Sequence, residues 1–360
     1  MILVEYIVRY WGLLVLLGGL MLHLSTNVYL EKSMVKRYHI IIGLLFTYSL
    51  TEYAELLLGE MAQLHFMRSV LTAFNYTLIS AILAETVRLL FARSTKLLYV
   101  PLIVNGVLCT VSIFTPIVFY FTEDNHFQRG ILGYLPYFVA AVYLLYLFIR
   151  LTRSYGNQVK EDFLVILFMV VTAIACFIIP LLWSDRFFQW FGTTIAANLF
   201  IYYVFILHQY TKRDALTGLL NRQSYYADIE KRGKNITALI ALDMNGLKEL
   251  NDHHGHIAGD KALSGIGKAM LAHANTDHRM YRIGGDEFAV LCYHTTEPEV
   301  KKLIARLTDS INKSGATCSI GYSYTAQPRS IDDLYKEADA MLYVEKERYY
   351  EETGKQRRLI

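Results

Sequence analysis

Apolar positions fall along this chain in two different ways. Up to about residue 210 they form long, nearly unbroken runs; beyond it they form short runs separated by charges and glycines. A helix crossing a bilayer core needs about 20 apolar residues. Seven segments meet that length, at 6–26, 38–58, 69–92, 97–121, 131–152, 162–183 and 188–209. The pattern predicts an all-α bundle of seven transmembrane helices over residues 1–210, with the lipid bilayer as a partner. The first segment is not read as a cleaved signal peptide. It lacks a basic start and a small-residue cleavage site, and more spans follow.

The second half predicts a different architecture. The run "NITALIALDMNG" (235–246) is continuously apolar up to Asp243, as expected of a strand buried on both faces. Two helices follow in "LKELNDHHGHIAGDKALSGIGKAML", the second beginning at Asp260 with Leu263, Ile266, Met270 and Leu271 on its apolar stripe. The stretch "YRIGGDEFAV" (281–290) reads as a hairpin. Short apolar runs flank Gly284 and Gly285, which can take the positive φ of a tight turn and leave Asp286 and Glu287 at or just past its tip. A helix over 297–313, a strand over 316–324 and a helix over 331–349 complete the order. This succession suggests a mixed sheet with helices packed on it, an α+β domain over 211–360.

Charge sharpens the boundary. The chain is 54% hydrophobic and only 19% charged, a balance rarely seen in a wholly soluble protein. Residues 1–210 hold 13 Lys+Arg and 11 Asp+Glu, against 22 and 21 in residues 211–360. The near-neutral second half argues against nucleic acid as a partner. Cys109, Cys176, Cys292 and Cys318 show no paired spacing, which speaks against a disulfide framework or a zinc site.

The basic residues also predict an orientation. Lys32, Lys36 and Arg37 follow span 1, Arg88, Arg93 and Lys96 surround the end of span 3, and Arg150, Arg153 and Lys160 surround the end of span 5. The intervening turns carry Arg68, Arg129 and Arg186 singly. The N-terminus is expected outside, and the C-terminal half, entered through Lys212 and Arg213, inside. At membrane depth, Glu52, Glu55, Asn75 and Glu85 admit two readings: a sensory pocket for an unknown ligand, or interhelical hydrogen bonding. The link at 208–214 has no Pro/Gly/Ser spacer, so movement of the last span is expected to reach the domain.

Candidate chemistry centres on carboxylates. Asp243 ends a buried strand and Asp286 sits on a hairpin; adjacent strands would bring the two together. Such a pair suits Mg²⁺, which takes few protein carboxylates and completes its shell with water and substrate phosphates. Metal ions so held serve phosphoryl transfer. Lys248 could neutralise phosphate, and it shares a helix face with Asn251 three residues on. Asn251 and Asp260 could pair with a base edge. From shape alone, a surface hairpin with solvated acids fits as well.

The ordered blocks "DALTGLLNR" (214–222), "DMNGLKELNDHHGHIAGD" (243–260), "RIGGDEF" (282–288), "CSIG" (318–321) and "ADAMLYVEK" (338–346) resemble the GGDEF domains of bacterial diguanylate cyclases. The resemblance covers about 211–349. It implies a nucleotidyl-cyclase palm-like domain that condenses two GTP into cyclic di-GMP and two pyrophosphates, with two domains facing each other in a homodimer. It further implies that Asp243, Asp286 and the Met244 carbonyl hold Mg²⁺, and that Glu287 acts at the metal or on the attacking hydroxyl. Gly284 and Gly285 would approach the nucleotide, Asn251 and Asp260 would recognise guanine, and Lys248 and Lys346 would contact phosphates. The expected location is the bacterial inner membrane, with the GGDEF domain cytoplasmic.

Departures from the family pattern stand beside these matches. Asn245 replaces a common Asp, Gly246 and Leu247 stand where Phe is frequent, and "YYEETGKQRR" replaces the usual Gly-Arg-Asn after the last helix. The inhibitory Arg-x-x-Asp of many such cyclases reads "NTDH" here, with Asn275 and His278 at its ends. A second reading is a non-catalytic membrane receptor that binds GTP through a cyclase-like domain.

Overall fold

The computed structural model describes residues 2–91, 95–155, 160–183 and 189–354. Arg93 and Arg186, and the end of the "YYEETGKQRR" stretch, lie outside the described residues. The chain divides into two compact units, Met1–Ile206 and Leu207–Ile360.

The first unit is helical. It comprises α1 (Ile2–Arg9), α2 (Trp11–Ser25), α3 (Lys32–Leu58), α4 (His65–Leu90), α5 (Val100–Val111), α6 (Leu135–Tyr155), α7 (Lys160–Trp183) and most of α8 (Gln189–Thr211). Among the described residues, three helices are long and apolar enough to cross a membrane: Lys32–Leu58, His65–Leu90 and Trp190–Thr211. A fourth follows if α1 and α2, bent by 72° at Tyr10, make one broken span. The expected count of seven full-length spans is not confirmed among the described residues. The apolar stretches Lys96–Val111, Leu135–Arg150 and Phe163–Ile179 add to these, the last two being parts of α6 and α7.

The segment expected to span at 97–121 is not one continuous helix. Its helix stops at Val111, shortly before Pro116, which has no N–H to continue a helix and biases the residue before it away from helical dihedrals. The remainder enters a small hairpin, β1 (Phe119–Phe121) and β2 (Phe127–Arg129). Phe119 is buried there with Val118, Cys109 and Ala73 of α4. At the turn, Asn125 takes φ 64° and donates its amide to the carbonyls of Leu58 and Met61, closing off the end of α3.

The polar residues expected at membrane depth bond to protein groups. Glu55 accepts from Thr72 at 2.8 Å and Asn75 at 2.9 Å, and Asn75 accepts from Thr51. Glu52 accepts from Tyr10 at 2.9 Å, and Glu85 from Tyr99 at 2.7 Å. An unpaired polar group in hydrocarbon is costly, so these bonds tie helix to helix. Of the two readings for these residues, the structure favours interhelical bonding.

The second unit has three layers. Its sheet runs β4 (His278–Arg282), β5 (Glu287–Tyr293), β3 (Ile236–Met244), β6 (Cys318–Tyr324), and every pairing is antiparallel. The expected mixed sheet is thus corrected. Neighbouring strands all run in opposite directions, and a parallel contact among the described residues is the isolated bridge between Leu220 and Tyr281. Alternation along β3 assigns its faces. Ala238, Ile240 and Leu242 pack under α11 (His256–Leu271) and α12 (Glu297–Lys313). Leu239 and Ala241 pack under α13 (Ile331–Thr353), beside Tyr225 of α9 (Arg222–Arg232). Burial on both faces, at about 1.5–3 kcal/mol for each large apolar side chain, explains the unbroken apolar run. The short helix α10 (Leu247–His254) connects β3 to α11 through Gly246 (φ 71°) and Gly255 (φ 80°).

Candidate active site

Asp243 belongs to the odd-numbered face of β3 and so points toward α13. Directly opposite it in the β3–β5 register stands Glu287, on the same face. Asp286 precedes Glu287, and its carbonyl accepts from Met244 N at 3.0 Å. The hairpin tip and the end of β3 are therefore locked together through the backbone, which brings the three acids to one sheet end. Asp243 is buried, Asp286 half-buried and Glu287 exposed.

Lys346 reaches Asp243 from α13, with Nζ 2.6 Å from Oδ2. Gly321 of β6 permits this approach. A Cβ there would lie 2.1 Å from the Ala338 carbonyl oxygen and 2.3 Å from Leu342 N, so α13 lies against the bare backbone of the strand. Lys346 is one helical turn beyond Leu342 and thereby placed over Asp243. Burial pushes the Asp243 carboxyl up to about 6; Lys346 opposes this, while Asp286 and Glu287 add to it. A cation at this end of the sheet relieves the crowding of negative charge.

The two signature glycines serve different ends. Neither has a positive φ, contrary to the tight-turn expectation. At Gly284 a Cβ would lie 2.4 Å from Glu287 Oε2, so glycine leaves room for that carboxylate. At Gly285 a Cβ would meet nothing within 4 Å, so the backbone is open to an approaching group.

Asn251 of α10 and Asp260 of α11 come from adjoining helices. Asp260 stands in the second turn of α11, which begins at His256 and not at Asp260 as expected. Asn251 packs tightly on Gly259, where a Cβ would lie 2.0 Å from its Oδ1, and that oxygen is buried with no partner among the described residues. Lys248 is exposed on α10.

Several residues that shape the site carried no assigned role in the sequence. Arg282 donates to both carboxylate oxygens of Asp214, at 3.0 and 3.2 Å, and to the Gly285 carbonyl at 2.7 Å. Asp214 also accepts from Thr217 N and Oγ1. Burial works against ionising Asp214, yet the bonds from Thr217 and Arg282 hold its carboxyl below the usual range. The signals were Asp214 heading the block "DALTGLLNR" and an arginine two residues before Gly-Gly. Asn245 accepts from the Ser319 hydroxyl at 2.9 Å, a buried structural bond.

The residues around the altered inhibitory window are also committed. Asn275 Oδ1 accepts from the N–H groups of Asp277 and His278, forming a turn. Arg279 pairs with Asp228 at 2.9 Å, and Tyr281 donates to the other oxygen of Asp228 at 2.6 Å.

A family model described as diguanylate cyclase, GGDEF domain, matches residues 211–351. Those residues are a GGDEF domain. The chain is 34% identical over 145 residues to diguanylate cyclase DgcN of Escherichia coli (strain K12), covering 36% of each chain. It is 28% identical over 153 residues to an uncharacterized membrane protein of Staphylococcus epidermidis, covering 38% of this chain and 43% of that one. Among solved structures, the coiled coil and GGDEF domain of DgcB from Caulobacter crescentus, in complex with c-di-GMP, is 21% identical, with a TM-score of 0.40. That alignment covers 43% of this chain and 91% of that one. The GGDEF domain here thus matches about a third to a half of the length of these curated relatives.

Proposed function

We propose that this protein is a membrane-anchored diguanylate cyclase, which condenses two GTP into cyclic di-GMP and two pyrophosphates. The observation that carries the reading is the Asp243–Glu287 pairing, with Asp286 beside it, at the open edge formed by Gly285. Among the described residues no three His, Cys, Asp or Glu side chains form a metal cage by themselves. Mg²⁺ does not require one, because substrate phosphates and water complete its shell. The donor set is all oxygen: Asp243, Asp286, Glu287 and the Met244 carbonyl. When bound, the ion would neutralise phosphate charge and favour ionisation of the attacking hydroxyl.

The chain's own residues do the rest. Asn251 and Asp260 recognise guanine through its edge, and the partnerless Asn251 Oδ1 leaves acceptor capacity for a base. Lys248 and Lys346 contact phosphates, with Lys346 exchanging its bond to Asp243 for substrate oxygens. Each GTP offers its 3′-hydroxyl to the α-phosphate held by a second copy, so the active form is a homodimer about a two-fold axis. The helical unit lies in the bacterial inner membrane, with the N-terminus outside and the GGDEF domain cytoplasmic, and regulates the cyclase. Support comes from the three long apolar helices and the relative named as a membrane protein. The test is to incubate the purified full chain with GTP and Mg²⁺ and identify the nucleotide by mass.

A further inference from the structure

Asn245 lies at the sheet end that carries the acids, and the cyclase reading gives it no role. It is 8% exposed and held through both backbone and side chain. Its N–H donates to the Thr317 carbonyl at 2.9 Å, and its Oδ1 accepts from the Ser319 hydroxyl at 2.9 Å. Ser319 stands opposite Asp243 in the β3–β6 register and so on the same face. Facing Cβ atoms in such a pair lie about 4.5–5.5 Å apart. One residue back, Met244 N donates to the Asp286 carbonyl at 3.0 Å. Asn245 is thereby fixed beside the carboxylates without adding to their charge.

The hydrogen bond itself does not require an amide. A hydroxyl donates to an amide oxygen or to a carboxylate alike, and the side chains of Asn and Asp have nearly the same shape. An aspartate would fit position 245 with the Ser319 bond intact, so what the amide decides is charge. Asp243, Asp286 and Glu287 supply three carboxylates, and Lys346, 2.6 Å from Asp243, supplies one positive charge. An aspartate at 245 would add a fourth carboxylate. The number of charged ligands tunes how tightly an oxygen site holds a divalent cation. We propose that Asn245 sets the cation affinity of this site, withholding a fourth carboxylate so that a divalent cation is held firmly only together with substrate phosphates. The assignment rests on the cyclase reading above and makes Asn245 a positioning residue for the cation.

The test is Mn²⁺ binding to the purified full chain in detergent, without nucleotide, read from the electron paramagnetic resonance signal of the free ion. Mn²⁺ serves as the probe because it suits the same oxygen ligands as Mg²⁺. Asn245→Asp is expected to tighten Mn²⁺ binding by about tenfold or more, because one further charge a few ångströms from a divalent ion acts strongly even at an effective dielectric constant of about 20. Ser319→Ala removes the hydrogen bond but no charge and is expected to leave the affinity unchanged. Equal affinity of Asn245→Asp and the wild-type chain overturns the proposal. So does a weakening by about tenfold in Ser319→Ala, which would make the bond and not the charge decisive. That second arm decides the matter even where the aspartate variant does not fold. Asp243→Asn separates the two levels of the account. Mn²⁺ binding that is indifferent to Asp243→Asn takes the cation away from this site and fails the cyclase reading as well. Binding that needs Asp243 but ignores Asn245→Asp fails the present proposal alone.

Discussion

Arg282 holds Asp214 at 3.0 Å while its other nitrogens hold the Gly285 carbonyl, so one guanidinium ties the block that follows α8 to the signature hairpin. Removing it is expected to loosen both. Arg282→Gln should cost about 1–3 kcal/mol, since the pair is half-buried and Asp214 would lose a charged partner. Thermal unfolding of the full chain in detergent measures this. Asp214 also sets a pH signature. Its folded-state carboxyl lies below the unfolded value of about 3.9, so its contribution is complete above that pH and is lost as pH falls through the lower folded value. Asp214→Asn should lower stability at neutral pH and flatten its decline below about pH 4. An unchanged acid limb would show that Asp214 is not a linked group.

Truncating the acids should separate chemistry from folding. Asp286→Ala and Glu287→Ala are expected to abolish cyclic di-GMP synthesis while shifting stability by less than about 1 kcal/mol, because both lie at or next to a hairpin tip. Wild-type turnover by either variant would remove that residue from the site.

Guanine recognition can be probed through a glycine. Gly259→Ala places a methyl 2.0 Å from Asn251 Oδ1, and the flexible amide must move. The expected result is a rise in KM for GTP of about tenfold with a smaller change in kcat, since a displaced polar contact weakens base binding. Steady-state kinetics of this variant beside Asn251→Ala distinguish the cases. Unchanged KM in both would place base recognition elsewhere.

The approach of α13 to the sheet depends on Gly321. Gly321→Val drives side-chain atoms into the Ala338 and Leu342 backbone and should cost about 3 kcal/mol. It should also remove Lys346 from Asp243. Chemical denaturation reports the first effect, and loss of synthesis under conditions where the variant remains folded reports the second.

Product inhibition through an Arg-x-x-Asp site is not expected. Asn275 and His278 occupy its ends, and Arg279 is held in a partly buried pair with Asp228. Arg279→Ala should cost about 3 kcal/mol by leaving the Asp228 carboxylate with the Tyr281 hydroxyl but no cationic partner, and should leave the response to added cyclic di-GMP unaltered. Strong inhibition that disappears in this variant would contradict the assignment.

The C-terminal half was the more legible part of the sequence. An apolar run on both parities identifies a sandwiched strand, and β3 is that strand. Gly284 and Gly285 marked the hairpin correctly but for the wrong reason, since one makes room for Glu287 and the other leaves an open edge. Sequence spacing cannot show such tertiary crowding. The same limit hid Arg282 and Gly321, whose partners are distant in the chain. Hydropathy misjudged 97–121 because it counts apolar residues without distinguishing a lipid-facing helix from Phe119 buried in a hairpin on α4. The acids Glu52, Glu55 and Glu85 were visible in the sequence, whereas their partners Tyr10, Thr72 and Tyr99 emerge only from helix packing.

The central claim is that the Asp243, Asp286 and Glu287 cluster condenses GTP. The most direct measurement follows the purified full chain with GTP and Mg²⁺, quantifying nucleotide products by mass and pyrophosphate released, beside the Glu287→Ala variant. The account predicts cyclic di-GMP with two pyrophosphates per product from the wild-type chain and none from the variant. GTP left intact by a folded, dimeric wild-type chain, or a product other than cyclic di-GMP, would contradict it.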